Sequence, residues 1–184
     1  MACPDEGDFS KSIGEEGDIP ETLGEEKIEA ICQKYERKLI LSDAERILKG
    51  RFNPIYEILM EQEGTQSYLK ANINFCSIKI ISQLRLNGKR YVKLTSNRCV
   101  YSWDQERECE ACNLRENEST THFLINCPTY IAIREVHLST YLSPRHDSTT
   151  NLTNLLTKLH PRKIIAIANF TATALKIRSF LLNE

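Results

Sequence analysis

Three cysteines and a histidine stand at Cys109-x2-Cys112-x9-His122-x4-Cys127, and this spacing constrains the chain more than any other feature. Two cysteines three apart can grip one ion from a tight turn. A histidine and a cysteine five apart lie close enough, across one helical turn and its end, to complete a tetrahedron. Three thiolates and one imidazole are the soft-to-borderline donor set that favours zinc, and four protein donors close the site, which makes it structural. One Zn2+ is therefore the expected cofactor. A catalytic zinc keeps a position open for water, so the chain is not expected to be an enzyme. Two other readings stay open: a redox Cys109–Cys112 pair, which lacks the usual βαβ context, and four unrelated side chains. Glu110 and Glu118 flank the ligands and read as solvated loop residues.

The chain has seven cysteines, an odd count that does not suit a closed disulfide framework. Cys3, Cys32 and Cys99 have no partner at ligand spacing, although Cys99 is near enough in sequence to compete. Cys76 falls on an apolar helical stripe and reads as core. His137 lies on a similar stripe, and His146 and His160 sit beside loops. The opening MACPDEGDFSKSIGEEGDIPETLGEE lacks the apolar region of a secretory signal. No stretch is expected to reach the ~18 apolar residues of a membrane span. The expected location is intracellular, nuclear or cytoplasmic, with reduced thiols. The Asn-x-Ser/Thr triplets at Asn117, Asn151 and Asn169 are then chance matches.

A formal net charge of -1 conceals a division. Residues 1–27 hold nine acids and two lysines, with almost no aliphatic periodicity. Such a segment cannot bury enough surface to offset its ordering entropy, so residues 1–25 are expected to form a disordered acidic tail. From Gly64 to Trp103 there are seven basic residues, Lys70, Lys79, Arg85, Lys89, Arg90, Lys93 and Arg98, and no acid. Ser148 to Asn183 repeats the pattern with Lys158, Arg162, Lys163, Lys176 and Arg178. Acid-free basic stretches either side of a metal site are the electrostatic footprint of a nucleic-acid surface, or simply solvated faces.

The periodicity predicts helices over Glu25–Ile40, from a capping box at Ser42–Glu45 to Lys49, and from Pro54 to about Gln62. A longer helix is predicted over Ser67–Leu86. Asn87-Gly88 then turns the chain into a hairpin over Lys89–Trp103, folded back at Ser96-Asn97-Arg98. Helices follow over Pro128–Tyr141 and from Pro161 to Leu182, with a polar loop between that leads to Leu152–Leu159. The expected fold class is α+β, mostly helical, with helices flanking a short β-hairpin and a zinc-knuckle-like Cys3His site. Its expected parts are the tail (1–25), a helical segment (26–65), the Gln-Leu-Arg-Leu helix with hairpin and zinc module (66–143), and a loop with C-terminal helices packing on it (144–184).

Several of these residues stand in a familiar register. Ile80-Ile-Ser-Gln-Leu-Arg-Leu86, then Tyr101, then the quartet, with Glu118 four before the histidine, is followed by His122, Phe123, Leu124, Cys127, Pro128, Tyr130 and Arg134. Ala174-Leu-Lys-Ile-Arg-Ser-Phe180 closes the series. Residues 66–182 resemble the carboxy-terminal tail of non-LTR retrotransposon reverse transcriptases of the arthropod type. The resemblance implies a zinc-binding module that grips template RNA or target DNA, detached from its polymerase. No Asp-Asp dipeptide, which the polymerase palm of that family uses to hold magnesium, occurs in the chain. The first 65 residues do not match the tail.

Nucleic acid, RNA or DNA, is thus the expected partner. Lys79, Arg85, Lys89, Arg90 and Lys93 would meet phosphates and Tyr91 would stack on bases, with Tyr101 also available. Arg115 and Arg134 would add charge around the metal. The competing readings are a zinc-stabilised protein-interaction module, with no nucleic acid, and a non-functional relic of a reverse transcriptase reading frame.

Overall fold

The computed structural model describes residues 25–49, 56–59 and 66–182. The acidic tail and the start at Pro54 therefore fall outside the described residues, apart from Glu25. The chain divides into two compact units, Met1–Leu39 and Ile40–Glu184. Helix α1 (Glu25–Lys49) supplies what is described of the first unit, and its described side chains there are exposed. The capping box does not start a new helix, because α1 continues through Ser42–Glu45. Asp-Ala-Glu contains no helix breaker, so continuing the hydrogen-bonded ladder satisfies the same backbone groups that a cap would.

The second unit is mostly helical with one antiparallel hairpin, as expected. After α2 (Tyr56–Leu59) and a 3-10 turn (Ser67–Lys70) come α3 (Phe75–Arg85), β1 (Tyr91–Ser96) and β2 (Cys99–Asp104). A π-helical turn (His122–Asn126), α4 (Ile131–Leu138), α5 (Ser148–Leu156) and α6 (Pro161–Leu182) complete it. Helix α6 is the central element, packing against both α3 and α4, while β1 lies on α3. Its Phe170 meets Phe123 and Tyr130 edge-on, at 6.0 and 6.4 Å between ring centroids, and Phe123 also touches Trp103.

The helix expected over Ser67–Leu86 is interrupted. Asn74 takes an extended backbone and its side chain accepts the Cys76 amide proton at 2.8 Å, so α3 starts only at Phe75. Asparagine competes for backbone hydrogen bonds and so favours such caps over helix interiors. The restart rotates the buried face onto Ile80, Ile81 and Leu84 and leaves Cys76 exposed, against its reading as core. Asn97 and Arg98 turn the hairpin with φ of 50° and 68°. A two-residue turn with both φ values positive matches strand twist, and it sets Ser96 opposite Cys99 and Val92 opposite Trp103. Helix α5 begins inside the expected polar loop, because Asp147 accepts the amide protons of Thr149 and Thr150.

Helix α6 has the predicted bounds. By length and composition it could also cross a membrane, which corrects the expectation that no stretch reaches that threshold. Here its apolar residues Ile164, Ile167, Phe170, Ala174 and Leu175 are spent on the core.

Candidate metal centre

The backbone builds the ligand positions in three steps. Beyond β2 the chain bends back on itself: the Cys109 amide donates to the Glu116 carbonyl and the Glu118 amide to the Arg107 carbonyl, each at 2.8 Å. Arg115, at φ 54°, turns this loop. Cys109 and Cys112 lie on its first limb, and the Ala111 amide donates to the Cys109 sulfur. The chain then enters the π-helical turn, in which the Cys127 amide donates to the His122 carbonyl at 2.7 Å. That i to i+5 bond draws the last two ligands side by side, which explains the x4 spacing physically. Short π-helical turns recur at functional sites for this reason.

The four ligand atoms of Cys109, Cys112, His122 and Cys127 lie within 4.8 Å of one another, so the group could hold a metal ion. Cys109, His122 and Cys127 are buried and Cys112 partly so. His122 places Nε2 3.4 Å from the Cys112 sulfur while its Nδ1 lies 2.9 Å from the Glu116 carboxylate. A carboxylate on Nδ1 keeps the proton there and leaves Nε2 free for a metal. The sulfurs are prepared in the same sense. The Cys127 thiol is pulled down by a hydrogen bond from Cys109, then by the amide and hydroxyl of Thr129 and by His122. The Cys109 thiol, which keeps the shared proton, is pushed up by that bond and by burial. A cation in the middle would displace the proton and favour thiolate at both. The residues present thus fit a soft divalent ion.

A second ring of interactions holds the ligands in place. Arg134 donates to the carbonyls of Leu124 and Cys127 at 2.9 and 2.8 Å, closing the end of the π-helical turn with a guanidinium. Glu118 is no solvated loop residue. It is buried and forms a two-point ion pair with Arg178 of α6, at 2.9 and 3.1 Å, while its carbonyl accepts the Trp103 indole proton. Glu116, Thr129 and the role of Arg134 were not singled out in the sequence. A carboxylate six residues before the ligand histidine carries no recognisable spacing signal.

The sites expected for nucleic acid separate into two groups. Lys79 on α3, Lys89, Arg90, Tyr91 and Lys93 are exposed. Arg90 is shared with Asp104 at 3.1 Å and its guanidinium lies over Tyr91. Arg85 is not at the surface: it is 1% exposed and donates to Gln66 Oε1 at 2.8 Å and to the carbonyls of Leu156 and Leu59, above the Tyr68 ring. Its position on the face of α3 turned to the core makes it a tie between distant loops and removes it from any phosphate contact. The basic stretch of α5 and α6 contracts likewise. Lys163 is buried against the carbonyls of Asn154 and Thr157, and Arg178 against Glu118. Tyr101 is half-buried, and Cys99 stays exposed beside the hairpin turn, outside the quartet.

Comparison of the chain with family models, with curated proteins and with solved structures finds no match.

Proposed function

We propose that the second unit is a nucleic-acid-binding module held together by one structural zinc ion and derived from a retrotransposon. Zinc is the ion that three thiolates and an imidazole select, and the resemblance of residues 66–182 to a reverse transcriptase tail supplies the origin. One observation carries the binding role. Lys79, Lys89 and Lys93 stay exposed with Tyr91 on α3 and the hairpin, within a stretch from Gly64 to Trp103 that has no carboxylate of its own. Surfaces of this kind attract phosphate by charge and stack bases on the aromatic ring.

The test is titration of a fluorescent oligonucleotide with zinc-loaded chain at increasing salt. Three phosphate contacts, from Lys79, Lys89 and Lys93, predict a log–log salt slope of about -2 on a single strand, Arg90 being held by Asp104. A slope near zero sinks the reading. It would leave the protein-interaction alternative, which the exposed Val136 of α4 and Phe180 of α6 favour.

A further inference from the structure

Where the turn of the hairpin approaches the start of α3, a cleft of about 300 Å3 opens, floored by Ala168 and Ala172 of α6. Three side chains give it chemical character. Phe75, the first residue of α3, lines it and is 74% exposed, so a large aromatic face is held at the rim and left uncovered. Lys79, one turn further along α3, and Arg98, at the hairpin turn, add two exposed cations. Among the described residues no carboxylate lines the cleft; its other polar groups include Thr95, Asn97 and Asn169. An aromatic face, two cations and neutral hydrogen-bonding groups around a small apolar floor are complementary to one unstacked base with its flanking phosphates. A duplex keeps its bases stacked and cannot offer one. An acidic peptide would satisfy the cations but has no planar ring for Phe75.

We propose that this cleft is a single-strand subsite, in which one nucleobase stacks on Phe75 while Lys79 and Arg98 hold the adjacent phosphates. The proposal rests on the nucleic-acid reading above and adds the strandedness of the ligand and Phe75 and Arg98, neither of which that reading uses. Arg98 also provides an unusual control. At φ 68° an arginine side chain is disfavoured and glycine is not. Replacing it therefore relieves the backbone while removing the charge, so a purely structural residue and a ligand-holding one respond in opposite directions.

The experiment measures binding of the full zinc-loaded chain to a 12-nucleotide oligo(U) and to a blunt RNA duplex of the same length, by anisotropy across a salt series. Wild type is expected to prefer the single strand. Phe75→Ala is expected to lose about 5- to 160-fold affinity for it, the range of base–aromatic stacking, with duplex affinity unchanged. Arg98→Gly is expected to lower the single-strand salt slope by about 0.7 while its melting temperature holds or rises. Val136→Ala, on the exposed face of α4, should bind as wild type. If both cleft variants match wild type while binding remains salt-dependent, the subsite is overturned and the module survives. If wild type binds neither RNA, nor the DNA strand and duplex of the same length, both fall. Displacement of oligo(U) by polyglutamate at equal charge concentration would assign the cleft to an acidic polypeptide and overturn the proposal.

Discussion

His122 illustrates how a side chain can be made ready to ligate because another fixes its proton. Its ring is buried, and of its two nitrogens one faces Cys112 while the other faces Glu116. Without that carboxylate the imidazole would divide between tautomers, one of which presents N–H to the ion. Glu116 is 53% exposed, so water can replace part of what it does. Glu116→Ala should therefore lower metal affinity by about 10-fold, the lower end for an outer carboxylate, with little effect on the fold of the loaded protein. Competition with a chromogenic chelator reads this directly, and an unchanged affinity would remove Glu116 from the centre. Tyr130 shows the opposite economy. Burial, with Cys127, Glu118 and Cys109 next in order, pushes its phenol well above the usual tyrosine range, and its hydroxyl has no hydrogen-bond partner among the described residues. The ring is kept for its packing against Phe123 and Phe170.

Between elements, the Glu118–Arg178 pair does what the hydrophobic core cannot. The ligand loop is polar and contributes few buried apolar side chains, so packing alone would leave it loosely held. The pair pins it to α6, with the Arg178 guanidinium also lying over the Trp103 ring at 5.3 Å. Both partners are almost fully buried, at 4% and 3% exposure of their side chains. Arg178→Met should then cost about 3–5 kcal/mol, because it leaves a carboxylate in the interior, and Glu118→Gln in the same chain should recover part of that loss. Denaturant melts of the single and double variants check it; equal losses in both would mean that the arginine acts by packing. This pair also marks where sequence reading stopped. Periodicity located α6 and the hairpin, whose turn and register follow from local chemistry, and spacing picked out the four side chains that the fold brings within 4.8 Å of one another. Arg85 and Arg178 read as surface cations in the sequence because burial of a charged residue depends on a partner distant in sequence, whereas Lys163 is taken up by carbonyls only nine and six residues away, at the end of α5. Leu156 and Glu118 are 71 and 60 residues from the arginines they receive. The break before α3 was missed for a local reason, the capping competition of Asn74.

At the scale of the whole second unit, the candidate metal centre is a junction. Its loop leaves β2, its π-helical turn leads into α4 through Pro128–Tyr130, and its outer partners reach α6. Phe123, next to a ligand in sequence, is also the residue on which Trp103, Tyr130 and Phe170 converge. On the proposed zinc reading, metal binding and the packing of this aromatic cluster form one equilibrium, and stability should track free zinc. A hundredfold excess over the dissociation constant corresponds to about 2.7 kcal/mol, so chelation should lower the melting temperature by several degrees. The loss should be uneven. Residues from about Tyr101 to Arg134 should gain amide exchange first, together with the C-terminal half of α6, which follows Arg178. The contact of α3 with β1 includes Gln83, whose side chain bonds both the amide and the hydroxyl of Thr95, and neither residue belongs to the quartet. Exchange there should change least. Cys109→Ser and His122→Ala should reproduce the chelated pattern without chelator. Uniform exchange across the unit, or none, would mean that the four side chains meet without a metal to hold them, and the zinc-dependent reading would fail with it.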